Sequence, residues 1–204
     1  MKKKIKKIIE KKNKKKLVCL TAYSKNFAKV LDKYCDIILV GDSVANVLYG
    51  MKDTHKVKIE TMIEHALSVS KGIKRSLLVV DMPKGTYSSI KYAVKNAKYI
   101  LKKTKCDAVK IESNKNNYKV IKKLVSLGIP VMGHVGFTPQ FNKKFRVYGL
   151  SLSEIKKMEN EAKKIEKAGA FSIVLECVKK SASRRITKLL KIPTIGIGSP
   201  IECD

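Results

Sequence analysis

The stretch "DIILVGDS", residues 36–43, decides how the rest of the chain reads. Its apolar run suits a strand buried on both faces, and it leads into a glycine, a carboxylate and a hydroxyl. The pattern recurs: "SLLVVDMP" carries Asp81, "DAVKIES" carries Glu112 and "FSIVLEC" carries Glu176. Each buried strand delivers one acid near its C-terminal end. A single acid in such a place reads as well as a helix cap in the following loop. Four in equivalent positions point to a shared site.

Working outward, apolar β-rich runs at 17–23, 37–42, 77–83, 108–112, 131–136, 172–176 and 194–198 predict seven strands. Segments of helical periodicity separate them, among them "ETMIEHALSVSKGI", "SIKYAVKNAKYILKKT" and "SLSEIKKMENEAKKIEKAG". The last has Ser151 and Glu154 at capping-box spacing and Gly169 at its end. Strict alternation with short connections requires a parallel sheet covered by helices. A doubly wound nucleotide-binding sheet would carry a glycine-rich turn after its first strand, whereas "TAYSKNFAKV" has no glycine. Acids at the ends of strands two, three, four and six match a barrel, which builds its site from the carboxyl ends of many strands. The predicted fold is therefore α/β, a TIM-type (β/α) barrel with the eighth strand and C-terminal helix lacking. It forms one domain over residues 1–204, in which 1–16 are a basic helical extension docking through Ile5, Ile8 and Ile9.

Composition narrows the function. A chain of 204 residues with 44% hydrophobic content buries one sizeable core. Five scattered cysteines without a C-x-x-C pair argue against both a zinc site and a disulfide framework, and favour a reducing, cytoplasmic setting. No apolar run approaches the ~20 residues of a membrane span, and the N-terminal lysines precede no signal-type apolar segment. Forty-five basic residues against 17 acidic raise the alternative of a basic nucleic-acid-binding protein. Only Arg75, Arg146, Arg184 and Arg185 are arginines, however, and the lysines spread through every predicted helix. That distribution describes a solvated surface rather than a binding stripe, so no specific nucleic acid is expected.

Strand alternation sharpens the site. Lys110 and Glu112 share a face, as do Met132 and His134, and Val174 and Glu176. A lysine facing a barrel interior needs a counter-charge or an anionic ligand. Acids and one lysine around a common axis suit a hard divalent cation with a small anionic substrate. His134 taken alone reads as a hydrogen-bonded interior histidine. His55 and His65 read as loop and helix-face residues.

In order and at matching spacing, "LTAYSKNFAKV", "ILVGDS", "VVDMP", "AVKIE", "GIPVMGHVGFTPQ", "AGAFSIVLECV" and "IPTIGIG" resemble the ketopantoate hydroxymethyltransferase family, from about Leu17 onward. The resemblance implies a (β/α)8 barrel, a homodecamer and a requirement for Mg2+. It implies transfer of a hydroxymethyl group from 5,10-methylenetetrahydrofolate to 3-methyl-2-oxobutanoate, through a magnesium-stabilised enolate, giving 2-dehydropantoate for pantothenate and coenzyme A. It places the metal-binding acids on Asp42, Asp81 and Glu112. Oxo-acid contacts fall on Ser43 and Lys110, with Asp42 and Asp81 lining the same pocket and His134 nearby, and the general base falls on Glu176. Departures include Lys84 in place of an aromatic, Lys179 in place of a proline, and "VKIESN" in place of a glycine turn. Because the family continues past "CD", a catalytically impaired remnant with a structural role is a second reading. Another magnesium-dependent enolate enzyme, such as an oxo-acid lyase, is a third, and Glu176 and "GHVGFTPQ" speak against it.

Overall fold

Seven strands, β1 (Cys19–Thr21), β2 (Ile37–Val40), β3 (Leu77–Asp81), β4 (Ala108–Lys110), β5 (Val131–Gly136), β6 (Ser172–Glu176) and β7 (Thr194–Ile197), pair in parallel in chain order. The computed structural model describes residues 3–114, 117–142 and 144–204, so residues 1 and 2 of the expected extension lie outside it. Helices α2 (Lys25–Leu31), α4 (Ile59–Ser70), α5 (Ile90–Thr104), α6 (Asn117–Ser126), α7 (Leu152–Lys167) and α8 (Lys180–Leu189) connect successive strands. α3 (Val44–Val47) adds a single turn after β2, too short to have shown a helical period. The runs at 17–23 and 108–112 pair over only three residues each, which leaves Glu112 beyond the ladder where the chain turns into a loop. This is the predicted barrel, nearly closed.

The strands are buried on both sides, as their unbroken apolar runs require. Ile38, Val40, Leu78, Val80, Val109, Ile173 and Leu175 face outward and pack beneath the helices. Ile37, Leu77, Val79, Ala108, Met132, Val174 and Ile195 face inward and form a separate cluster. Ile5 and Ile8 of α1 (Lys3–Glu10) join that inner cluster, so the basic helix closes the N-terminal end of the barrel. Burying two isoleucines there contributes about 1.5–3 kcal/mol each. Lys4 Nζ donates to the Ser76 carbonyl at 2.7 Å, and Lys11 pairs with Asp36, so the lysines snorkel to the rim.

Among the described residues no ladder joins β7 to β1. Asp204 bridges that seam: its carbonyl accepts from Leu17 N at 2.7 Å, and its Oδ2 accepts from Thr194 N at 2.9 Å and Lys12 Nζ at 2.7 Å. α7 is capped as its sequence predicts at one point, Glu154 N donating to Ser151 Oγ at 3.2 Å. The Glu154 carboxylate reaches Gly149 N and Leu150 N instead of closing the reciprocal bond. No helix among the described residues is long and apolar enough to cross a membrane.

Candidate active site

Toward their C-terminal ends the inward faces turn from apolar to charged. Asp81 and Lys110 are register partners on β3 and β4 and point the same way. Lys110 Nζ donates to Asp81 Oδ1 at 2.7 Å, and the two side chains are only 6% and 4% exposed. Asp42 follows β2, and its N–H donates to Asp81 Oδ2 at 3.1 Å. Gly41 permits that approach, since a Cβ there would stand 2.9 Å from Ser43 Oγ and 3.4 Å from Asp81 Oδ2. Glu112 is 1% exposed. Its Oε2 accepts from Gln140 N at 3.0 Å, whereas its Oε1 has no hydrogen-bond partner.

His134 on β5 sits between two acids, with Nδ1 3.9 Å from Glu112 Oε1 and Nε2 3.3 Å from Glu176 Oε2. Neither ring nitrogen forms a hydrogen bond, so the hydrogen-bonded interior histidine expected from sequence is not what the fold produces. Glu112 lies beyond hydrogen-bond reach of Nδ1, and Glu176 is a close ionic neighbour of Nε2. Glu176 ends β6 with its side chain 21% exposed, against 1% for Glu112. Gly136 pairs with it across the ladder at φ +97, where an added Cβ would meet the Glu176 carbonyl at 2.2 Å.

Asp42, Ser43, Asp81, Lys110, Glu112, His134 and Glu176 all line one cavity of about 650 Å³. Leu39, Val174 and Ile195 give it an apolar portion, and Phe137, Pro139 and Phe145 also line it. Ser43 stands at the N-cap of α3 but makes no capping bond; its Oγ is 2.8 Å from Tyr23 Oη. His65 and His55 do more than decorate a face and a loop. The Tyr23 carbonyl accepts from His65 Nδ1 at 2.7 Å, which leaves Nε2 to accept from Tyr49 Oη at 2.7 Å. His55 Nε2 donates to the Pro139 carbonyl at 2.9 Å, and Lys84 Nζ lies 3.1 Å from Nδ1.

Burial dominates the electrostatics. It pushes the Asp42 carboxyl up to about 6, helped by Asp81 alongside, and the Glu112 carboxyl up to about 9. Burial opposes the Lys110 charge, but Asp81, Glu112 and Asp42 outweigh it and hold the ammonium above its usual range. Burial, then the Lys110 charge, holds His134 below the usual imidazole value, so the ring is neutral. Burial drives the Cys19 thiol on the same cavity up to about 12, which rules it out as a nucleophile near neutrality. Among the described lining residues Lys110 is the one lysine or arginine, against four acids.

That imbalance and the orphaned Glu112 Oε1 fit a hard, oxygen-seeking cation. No three His, Cys, Asp or Glu side chains among the described residues converge closely enough to cage a metal unaided. The residue that sequence reasoning passed over is Gln140. It lies inside the quoted "GHVGFTPQ", but nothing in its spacing shows that the loop folds back over the acids.

The sequence matches the ketopantoate hydroxymethyltransferase family over residues 2–204. It is 52% identical over 204 residues to a 3-methyl-2-oxobutanoate hydroxymethyltransferase of Pelagibacter ubique (strain HTCC1062), covering 100% of this chain and 79% of that one. The protein of the same name from Anaplasma marginale (strain Florida) is 45% identical over 197 residues, covering 95% of this chain and 71% of that one. Among solved structures, phosphonopyruvate hydrolase in complex with oxalate and Mg++ superposes with a TM-score of 0.72 at 13% identity, over 96% of this chain and 72% of that one. A 2,3-dimethylmalate lyase of the PEP mutase/isocitrate lyase superfamily gives 0.68 at 15%, over 95% and 72%. At such identities these two establish the shared fold alone.

Proposed function

The chain belongs to the ketopantoate hydroxymethyltransferase family, and on that premise we propose how its cavity performs the transfer. The enzyme is a 3-methyl-2-oxobutanoate hydroxymethyltransferase of pantothenate biosynthesis, forming 2-dehydropantoate. The observation that carries the assignment of the site is the gathering of seven strand-end and loop residues, with a single lysine among them, on one cavity.

Lys110, held by Asp81, pairs with the substrate carboxylate, and the Ser43 hydroxyl donates to it. Without the ammonium an all-acid wall would repel an anionic substrate. Asp42, Asp81 and Glu112 would hold Mg2+, an ion that commonly takes one or two protein carboxylates and fills its shell with water and substrate oxygens. When bound, it polarises the substrate's oxo group as a Lewis acid and makes the C3 hydrogen more acidic. Glu176 accepts the C3 proton as general base. It suits that role because it is the acid most open to the cavity and makes no ion pair with Lys110. Neutral His134, 3.3 Å away, can turn its Nε2–H onto Glu176 as the carboxylate closes on substrate.

Water adds to the methylene carbon of 5,10-methylenetetrahydrofolate, both C–N bonds break with the water protons going to the two nitrogens, and tetrahydrofolate leaves a formaldehyde-level carbon. The carbanionic C3 bonds to that carbon, and the oxygen on it takes the proton held by Glu176 to become the hydroxyl. Phe137 and Phe145, edge-on to one another at 5.2 Å, provide an aromatic mouth for the flat pterin. Exposed Phe27 and Val30 on α2, with Tyr34 just beyond it, favour self-association. The experiment is to mix the protein with Mg2+, 3-methyl-2-oxobutanoate and 5,10-methylenetetrahydrofolate and to follow 2-dehydropantoate by NMR. Product that requires all three supports the reading. No product from folded protein would contradict it.

A further inference from the structure

Gln140 holds no role in the chemistry above, yet it joins the loops that carry the acids. It is 1% exposed. Its Nε2 donates to Asp42 Oδ2 at 2.8 Å and to the Met82 carbonyl at 3.0 Å, which uses both amide hydrogens. Its backbone N–H donates to Glu112 Oε2 at 3.0 Å. Its Oε1 accepts from Tyr87 Oη at 2.5 Å. One residue of the β5–α7 loop therefore fixes an acid after β2, the chain after β3 and an acid after β4.

Tyr87 is 3% exposed, and burial raises its phenol far above the ordinary range, so the hydroxyl stays a donor. This matters because an amide can flip. Reversed, Gln140 would set Oε1 against Asp42 Oδ2 and against the Met82 carbonyl, three acceptors together. The Asp42 carboxylate and the Met82 carbonyl, both acceptors, therefore set the observed orientation, and the Tyr87 hydroxyl holds it by donating to Oε1. The chemistry of the side chain is equally specific. A lysine or arginine here would neutralise the acids permanently and compete with a cation, and a glutamate would add one more acid to the four already lining the cavity. The side-chain amide fixes one oxygen of Asp42 with a neutral donor and adds no charge of its own, while the backbone N–H of the same residue holds one oxygen of Glu112 and leaves Glu112 Oε1 unpartnered.

We propose that Gln140, its amide locked by Tyr87, is a positioning residue that presents Asp42 and Glu112 to the cation and oxo acid. The inference rests on the metal assignment made under the proposed function. The test measures Mn2+ binding by electron paramagnetic resonance in the full chain, on Gln140→Met, Tyr87→Phe, their double variant and Asp42→Ala. Circular dichroism confirms that each is folded at the temperature used.

Gln140→Met is expected to weaken Mn2+ about 10–100-fold, as loss of a partner behind a metal ligand does. Tyr87→Phe moves affinity the same way by less. Adding Tyr87→Phe to Gln140→Met costs nothing further, because no amide remains to be oriented. Tyr87→Phe removes a single oxygen and carries the test alone if Gln140→Met fails to fold. Unchanged Mn2+ affinity in folded Gln140→Met or Tyr87→Phe, with only thermal stability reduced, overturns the proposal. So does full additivity of the two. If Asp42→Ala leaves Mn2+ affinity unaltered, the metal assignment fails instead. The positioning role then stands only if Gln140→Met weakens binding of 3-methyl-2-oxobutanoate itself.

Discussion

Replacing Lys110 with methionine keeps the length of the side chain and removes the ammonium from a cavity wall that holds four acids. Lys110 and Asp81 are both almost fully buried and 2.7 Å apart, so solvent does little to screen the loss. Removing one partner of such a pair costs about 3–5 kcal/mol, because the other charge is left uncompensated. For a chain of this size 1 kcal/mol corresponds to about 2–4 °C, so Tm is expected to fall by about 6–20 °C at pH 8 in EDTA. The loss must depend on pH. The Lys110 charge, held above its ordinary range, persists throughout pH 5–8. Asp42, pushed up to about 6, is largely protonated at pH 5, so fewer negative charges then miss the ammonium. The penalty at pH 5 is therefore smaller than at pH 8. Thermal unfolding by circular dichroism at both values reads this directly. A penalty equal at the two pH values, or absent at pH 8, refutes the argument that Lys110 balances the acid cluster.

Asp81→Ala is expected to weaken Mg2+ and 3-methyl-2-oxobutanoate together by calorimetry, and unchanged Mg2+ affinity would remove the proposed metal site. The metal-free parent should lose stability as pH rises from about 4 toward 9. Folded Asp42 and Glu112 keep protons that the unfolded chain has released, so unfolding becomes easier with rising pH. Urea midpoints that rise over that range would contradict this, and added Mg2+ should flatten the curve. Ile8→Ala, at the far end of the barrel, should cost about 2–5 kcal/mol of stability and leave oxo-acid affinity intact. A parallel loss of affinity would show that α1 shapes the cavity.

The barrel was legible because buried parallel strands write themselves as unbroken apolar runs, and "DIILVGDS" or "SLLVVDMP" cannot be mistaken for amphipathic helices. The shared face of Lys110 and Glu112, and of Val174 and Glu176, followed from two-residue alternation alone and holds in the structure. What stayed hidden depends on loops. Gln140 reaches Asp42 across 98 residues of sequence, a contact that no local period encodes. Its burial follows from the fold of residues 137–142, where His55 and Tyr87 arrive from other loops. His134 was misread for a related reason. A histidine on a strand usually finds a partner, but here the acids on either side stand 3.9 Å and 3.3 Å from its nitrogens without a formed hydrogen bond. Ser43 likewise occupies a capping position and turns to Tyr23 instead.

The central claim is that this cavity removes the C3 proton of 3-methyl-2-oxobutanoate and that Glu176 receives it. Deuterium exchange at C3, followed by NMR in D2O with Mg2+ and without folate, isolates that step. The parent is expected to exchange the hydrogen. Glu176→Gln, nearly isosteric, is expected to bind Mg2+ and the oxo acid as before while exchanging about 10²–10⁴-fold more slowly, the usual contribution of a placed general base. Exchange as fast in Glu176→Gln as in the parent would contradict the assignment, and a parent that binds the oxo acid yet exchanges nothing would contradict the account of the cavity as a whole.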